Sequence, residues 1–597
     1  MSMTFSDQEL GFFAMPKLII DPLYPLSNWP KSSSWKRVIA LNVIAINIAL
    51  GMAFGTTMQP AHCQQKEALQ SGLPGDAVLQ AWGENSEVRK CGICHYVSGN
   101  AFARRDTDFC QLDEAQTWLQ SDKHAVSRLR IEPFSQIELD EKKKEAIGDF
   151  LGESNLVSYR LCQQLGYDLA TEKGYDQFRD NCLTCHAGYD PKQLTASDDF
   201  ARSNSHHPGI SCNYCHQRGE ASRWVDLHGG LSNDRPWRLL SPTEKEEAGL
   251  RDLMDAPSQA KLCTTCHIGD HARRMFITHE MYVAGHPPLP SFELQTYLST
   301  LPPHWRNLNS TYTALEGFTQ RDEYFAVNLS IPQVEIPRVM EDTFWETRTM
   351  LLGAMQAAEQ SIALMADADP HQHWGDYALY DCASCHHELR LPSLRQQRAG
   401  HEVPGRPRLP EWPTPLIEVA VQLAHSASGV QEARGNLFSL INQTPFGNPK
   451  DCLPAARALS EALKRSSVQL TRSSIEAEQA RQVVKLLAHT SNDALLDYHA
   501  ARQTIWAIQL VDRELAAKGQ ALRDSTRAAI QQLGTLGQQS FVSKELPAGR
   551  SGTLYTPAQA PTGTEPLSYL AVELERVREY DPQKIRTQMR ELCTQLD

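Results

Sequence analysis

The sequence predicts a mainly α-helical chain with much irregular structure, in which a Cys- and His-rich core is followed by a C-terminal helical bundle. Three observations predict it. Cys-x-x-Cys-His recurs five times. Four of the copies sit among short polar segments containing Gly and Asp, with little helical or strand periodicity. Beyond a Pro-rich stretch the chain carries no such motif and reads as successive helices. At about 150 residues per domain, 597 residues make two to four domains. Apolar residues are 41% and charged residues 22%, the balance of a folded chain rather than a disordered one. Fifty-eight Lys and Arg against 71 Asp and Glu leave a net charge of −13 with no basic block, which argues against nucleic acid and anionic lipid as partners. No apolar run suits a polytopic membrane protein.

The motifs are Cys91–His95, Cys182–His186, Cys212–His216, Cys263–His267 and Cys382–His386. Two thiols three positions apart can form thioethers to the two vinyl groups of one haem, and the adjacent His then binds its iron. The expectation is five covalently bound haem c groups. They would be attached through Cys91 and Cys94, Cys182 and Cys185, Cys212 and Cys215, Cys263 and Cys266, and Cys382 and Cys385. His95, His186, His216, His267 and His386 would be the proximal iron ligands. The alternative for paired Cys-x-x-Cys is structural zinc, which does not require His after the second Cys; here every copy has one. No Cys-x-x-Cys-Lys occurs.

Haem attachment of this kind takes place outside the bacterial cytoplasm, and the N-terminus carries a matching signal. Residues 1–37 form a long n-region ending in Lys36 and Arg37. Residues 38–58 are a signal peptide or an N-terminal membrane anchor. Within them Val38–Phe54 is apolar apart from Asn42 and Asn47, and Ala53-Phe54-Gly55 offers small residues at a cleavage site. Either translation starts at Met15 or the segment stays as a single anchor; both place the rest in the periplasm. In that oxidising compartment Cys110 with Cys162, and Cys452 with Cys593, are the candidate disulfides, with Cys63 left over.

Residues 59–300 form the four-haem core, with Ser154–Phe178 as its main helix. Residues 301–400 add a mixed, irregular stretch from Pro302 to Pro337. A long amphipathic helix follows over Glu341–Ala368, its packing stripe being Phe344, Met350, Leu351, Ala354, Ala358, Ile362 and Met365, and then the fifth motif. Residues 401–415 are a Pro-rich linker. In 416–597 the expected helices are Leu416–Ser426, Leu453–Ser473, Ser474–His489, Asp493–Lys518, Gln520–Gly537 and Pro566–Leu596. The motifs share no fixed period, so this is not a solenoid.

A low-spin haem needs a second axial ligand, usually His or Met. Several histidines lie in recognisable settings: Trp118-Leu119-Gln120-Ser121-Asp122-Lys123-His124, His206-His207-Pro208-Gly209-Ile210-Ser211 before the third motif, Trp224-Val225-Asp226-Leu227-His228 after it, and His279-Glu280-Met281-Tyr282-Val283-Ala284-Gly285-His286-Pro287 after the fourth. Over about residues 88–295 the chain resembles the cytochrome c-552/c-554 multihaem family, electron carriers related to those that serve hydroxylamine oxidoreductase. The resemblance implies stacked, mostly bis-His haems, with His124, His207 (or His206), His228, His279 and His286 as distal ligands. The chain departs from that pattern in its loop before Trp118, in the two residues between Ser121 and His124, and in the fifth motif and C-terminal helices. For the fifth haem, His371, His373 and His387 are also candidates. Met275 and Met281 are the nearest Met alternatives. Trp118 and Trp224 read equally as haem-edge or core residues, and Arg273-Arg274 as propionate partners or exposed surface. His271 reads as surface; His304, His401, His425, His489 and His499 read as structural.

Two functions compete. The first is electron transfer between redox-protein donors and acceptors, with every iron six-coordinate. The second is a multihaem oxidoreductase with one open haem acting on a small nitrogen or sulfur compound such as hydroxylamine, nitric oxide or nitrite. A third role, docking or oligomerisation, falls to the C-terminal helices. The oligomeric state stays open.

Overall fold

Helices dominate because Gly, Pro and short polar caps cut the sequence into many brief helical runs, and the computed structural model bears the pattern out. It describes residues 87–95, 112–128, 131, 154–169, 171–189, 209–218, 223–229, 237–289, 291–371, 373–387, 406–490, 494–541, 576–577 and 580–596, all within one unit spanning Gln65–Asp597. The segment 38–54, Cys63, Cys110, His206, His207 and His401 lie outside these residues. Among the described residues the chain is mainly α, with no strand beyond two isolated bridges, Gln217–Leu250 and Asp270–Met275. No described helix is long and apolar enough to cross a membrane.

The upstream motifs end or fill short helices. In chain order the helices that carry the motifs or pack beside them include α1 (Glu87–His95), α2 (Glu114–Ser121), α3 (Ser154–Gln164), α4 (Glu172–Phe178), α5 (Cys212–His216), α6 (Arg223–Gly229), α7 (Ala256–His267), α8 (His279–Val283) and α9 (Leu294–Thr300). Helical geometry puts both cysteines of a motif, three apart, on one face, and the His one residue further round. The second motif instead crosses a π-helical turn, Arg179–Leu183, a distortion often found at functional sites. Side-chain caps start the third and fourth motif helices: Ser211 Oγ accepts from the Tyr214 amide at 3.3 Å, and Asp255 Oδ2 from the Ser258 amide at 3.0 Å.

The single helix expected over Ser154–Phe178 is two. Gly166, at φ +74°, ends α3, and the Tyr167 amide returns to the Cys162 carbonyl at 2.8 Å. Thr171 then caps α4 by accepting from the Gly174 amide. The stretch from Pro302 to Pro337 is also not irregular. It forms α10 (Leu308–Ala314) and α11 (Arg321–Leu329) around a small core of Leu315, Phe325, Ile336, Met340 and Trp345. Asn307 starts α10 by accepting from the Ser310 amide at 2.8 Å, a local cap that apolar periodicity does not register.

The long helix is α12 (Trp345–Ala366). It is buried round most of its circumference, because α7 and α9 pack on one side and the C-terminal helices on the other. Leu352, Met355 and Ala357, outside the expected stripe, are therefore as buried as Met350 and Leu351. Gly353 permits the α9 crossing: a Cβ there would lie 2.5 Å from Leu294 Cβ. The C-terminal helices are α13 (Thr414–Leu423), α14 (Ala427–Ile441), α15 (Pro449–Thr471), α16 (Ala477–Ala488), α17 (Tyr498–Ala517), α18 (Asp524–Phe541) and α19 (Pro582–Leu596). One apolar core runs without a break from Ala256 and Phe292 through α12 to Leu592. The α14 helix was not anticipated; Gly429 and Gly435, each costing about 1 kcal/mol against Ala in a helix, hide it.

Cys452 and Cys593 are separate thiols, not a disulfide. Cys452 is buried in α15 beside Gly447, while Cys593 in α19 donates to the Ala488 carbonyl at 3.1 Å. Cys162 is likewise a buried free thiol.

Candidate functional site

The four upstream motifs face one cavity of about 1210 Å³, larger than the roughly 300–1,000 Å³ usual for one small ligand. His95, His186, His216 and His267 line it, together with every motif cysteine of these four whose side chain is described. The fifth motif lies outside this cavity wall.

Four motif histidines each face one histidine from elsewhere in the chain. His95 stands 6.2 Å from His228, with ring planes 19° apart. His267 stands 6.1 Å from His124 at 87°. His216 stands 6.5 Å from His304 at 74°. His386 stands 6.3 Å from His279 at 26°. An imidazole nitrogen binds a transition metal at about 2.0–2.1 Å, so two rings on opposite sides of one ion have centroids roughly 6–6.5 Å apart. The four separations match that requirement, and the four motifs supply thiols beside them, so the residues fit a covalently attached haem. The histidines meet in twos: among the described residues, no three or more His, Cys, Asp or Glu side chains converge as a metal-ion site.

The ring orientations are held from behind. His95 Nδ1 hydrogen-bonds Glu114 Oε2 at 2.9 Å, and His124 Nδ1 hydrogen-bonds Asp122 Oδ1 at 2.8 Å. His228 Nδ1 donates to the Trp224 carbonyl at 2.9 Å, and His286 Nδ1 to the Pro287 carbonyl at 2.7 Å. An acceptor at Nδ1 sets the tautomer and leaves the Nε2 lone pair for a metal. The Glu114 hydrogen bond raises the His95 pKa against the opposing effect of burial. Burial pushes His124 down, but the Asp122 carboxylate outweighs it and makes this ring, too, more basic. Burial lowers His216 to about 4 and His267 to about 3, and also lowers His286 and His304. These rings are neutral at pH 7, the form that ligates.

The partners come from unexpected places in the chain. His124, just after the first motif in sequence, faces the fourth motif; His228, just after the third, faces the first. The His124 backbone is held against the entry to the third motif: the Ile210 amide donates to the His124 carbonyl at 2.8 Å, and Gly209 passes so close that a Cβ would lie 2.1 Å from that oxygen. On α6, Trp224 and His228 share a face, and Trp224 lies 5.1 Å from His228 and 6.5 Å from His216. His279 opens α8, its amide donating to Asp376 Oδ1 at 3.0 Å.

His304, a structural histidine by its sequence setting, instead stands opposite His216 from a Pro-Pro-His-Trp loop before α10. The only sequence signal for it was a buried-type neighbour, Trp305. His286 lines the cavity and has Tyr282 as a ring neighbour at 6.3 Å. His207 lies outside the described residues. Of the other candidates for the fifth motif, His371 is exposed and His373 stacks on His271 at 5.4 Å. Arg273 and Arg274 are half exposed and pair with Asp270 and Asp180. Trp118 and Met281 line the cavity. Met275 Sδ instead receives the Tyr214 hydroxyl at 3.7 Å and meets Cys266 Sγ at 3.8 Å.

The chain matches no protein-family model, no curated protein and no solved structure.

Proposed function

We propose that this chain is an exported multihaem c-type cytochrome that passes electrons between redox proteins in the periplasm. Its five Cys-x-x-Cys-His motifs would each hold one haem, with His95, His186, His216, His267 and His386 as proximal ligands. His228, His304, His124 and His279 would be the distal ligands at the first, third, fourth and fifth sites. Bound haem supplies a one-electron iron couple. The observation that carries the reading is the fourfold pairing of a motif His with an outside His at 6.1–6.5 Å. An iron held by the two imidazoles of such a pair would keep no coordination position for a substrate, and electron transfer would need none. Glu114 and Asp122 hold their imidazoles in place and strengthen them as donors. In this reading the N-terminal part would carry the haems and the C-terminal helices, which share one apolar core with α7, α9 and α12, would brace it. The segment 38–54 would export the chain and either be cleaved or anchor it.

The test is haem quantification per chain with low-temperature EPR of the oxidised full-length protein. Five haems are the expected result, with low-spin iron at the four sites where a motif His faces an outside His. One high-spin iron in five would move the assignment to an oxidoreductase with an open site for a small nitrogen or sulfur compound. A haem count of zero would overturn the proposal.

A further inference from the structure

We infer that the fifth motif is the port through which electrons pass to or from a partner, and that the partner is a small one-electron protein presenting an apolar face ringed by lysines. This rests on the cytochrome reading above. The described cysteines of the four upstream motifs are partly shielded and line the cavity, whereas Cys382, Cys385 and His386 are exposed and stand apart from it. The fifth site is nevertheless joined to the interior. His279 faces His386 from the start of α8, and Met281, two residues on, lines the shared cavity. One five-residue helix thus touches both the outer site and the inner ones.

The surface around the fifth site has the composition of a redox docking patch. Tyr377, 54% exposed, packs edge-on against His279 with ring centroids 5.2 Å apart, and Val283, 53% exposed, closes α8. These are among the few large apolar side chains that the described surface leaves in water. Acidic groups lie on the same helix and on the segments beside it. Glu280, next to His279, and Asp367, at the end of α12, are both exposed, and Asp367 lies with Asp270 and Asp376 around His271. Arg273 pairs with Asp270 and Arg274 with Asp180, so these four cancel, and the acidic excess rests on Glu280, Asp367 and Asp376 against Arg457, which donates to the Ala366 carbonyl beside Asp367. Electron-transfer encounters are small, generally under about 1,200 Å², and complementary charge governs their on-rates. An acidic rim about an exposed apolar centre selects a basic partner with an apolar contact face. In the encounter the partner's metal centre is oxidised by one electron as this chain is reduced by one, or the reverse; no bond is made or broken.

Stopped-flow electron exchange between the full-length haem-loaded protein and a lysine-ringed small c-type cytochrome tests this, with an acidic one-electron protein as control. The rate with the basic probe should be fast and fall steeply with ionic strength. The Glu280→Lys/Asp367→Lys variant should keep five haems and an unchanged absorption spectrum but lose roughly tenfold in rate at low salt. Cys382→Ala/Cys385→Ala should keep four haems and lose the fast exchange. An unchanged rate in the charge-reversed protein, or fast exchange retained with four haems, would overturn the port assignment and leave the cytochrome reading standing. A wild-type protein without haem would overturn that reading instead.

Discussion

His216 and His304 face each other across the cavity with ring centroids 6.5 Å apart and planes at 74°, one from a Cys-x-x-Cys-His helix and the other from a loop that local sequence does not mark. Both are held neutral by burial. If they are the two axial ligands of one iron, His304→Ala leaves Cys212, Cys215 and His216 intact. Haem content should stay at five per chain while one iron turns high-spin in the EPR spectrum. A spectrum with no new high-spin iron would place the distal ligand elsewhere.

Glu114 and Asp122 offer a second check. Each carboxylate strengthens an imidazole donor, which favours the oxidised iron. Glu114→Gln and Asp122→Asn should each raise the potential of one centre in a potentiometric titration. A tenfold change in the relative stability of the two oxidation states corresponds to about 59 mV for one electron. A downward shift would contradict the role assigned to these groups.

Gly209 passes directly under the His124 carbonyl, so Gly209→Ala forces backbone against a new methyl group. The expected cost is about 1–3 kcal/mol of stability, read as a lower thermal midpoint. The displaced His124 should also disturb the low-spin signal of one site. Gly429→Ala, with nothing within 4 Å of the new Cβ, should instead be neutral or stabilising and serves as the control.

Glu293 caps α9 from a fully buried position, accepting from the Gln295 and Thr296 amides and the Thr296 hydroxyl. Burial outweighs these bonds and pushes its carboxyl from 4.5 up to about 8. Between those values the folded chain keeps a proton that the unfolded chain has lost. Stability from this group is therefore greatest below about pH 4.5 and declines as pH rises to about 8, by roughly 1–4 kcal/mol. Thermal midpoints measured from pH 5 to 9 should fall, and Glu293→Gln should flatten the fall; a parallel curve in the variant would count against it.

Glu514 makes the connection between α17 and α12. It accepts from the Glu346 and Thr347 amides at 2.9 and 2.8 Å and from the Thr347 hydroxyl at 2.7 Å, supplying the N-terminal cap that Phe344 cannot. Glu514→Ala leaves three buried donors without an acceptor. It should cost about 1–3 kcal/mol in a denaturant titration, with haem content unchanged.

Local chemistry was legible from the residues alone. The motif spacing places each pair of thiols beside its imidazole, because two thiols and an imidazole within five residues need no help from the fold to be neighbours. The mainly α class and most helices after residue 341 were legible for the same reason, since apolar spacing along a helix is a short-range property. The break at Gly166 and the cap at Asn307 are also local, but they act through backbone conformation, which a search for apolar periodicity passes over. The pairing of histidines was decided only by tertiary structure. His124 opposite His267, His228 opposite His95, His304 opposite His216 and His279 opposite His386 are each set by loops that cross between motifs, and an imidazole carries no mark of which ring it will face. The burial of α12 on nearly every side has the same origin: a helix pattern records which residues prefer the interior, and only the packing of distant helices decides how much interior there is.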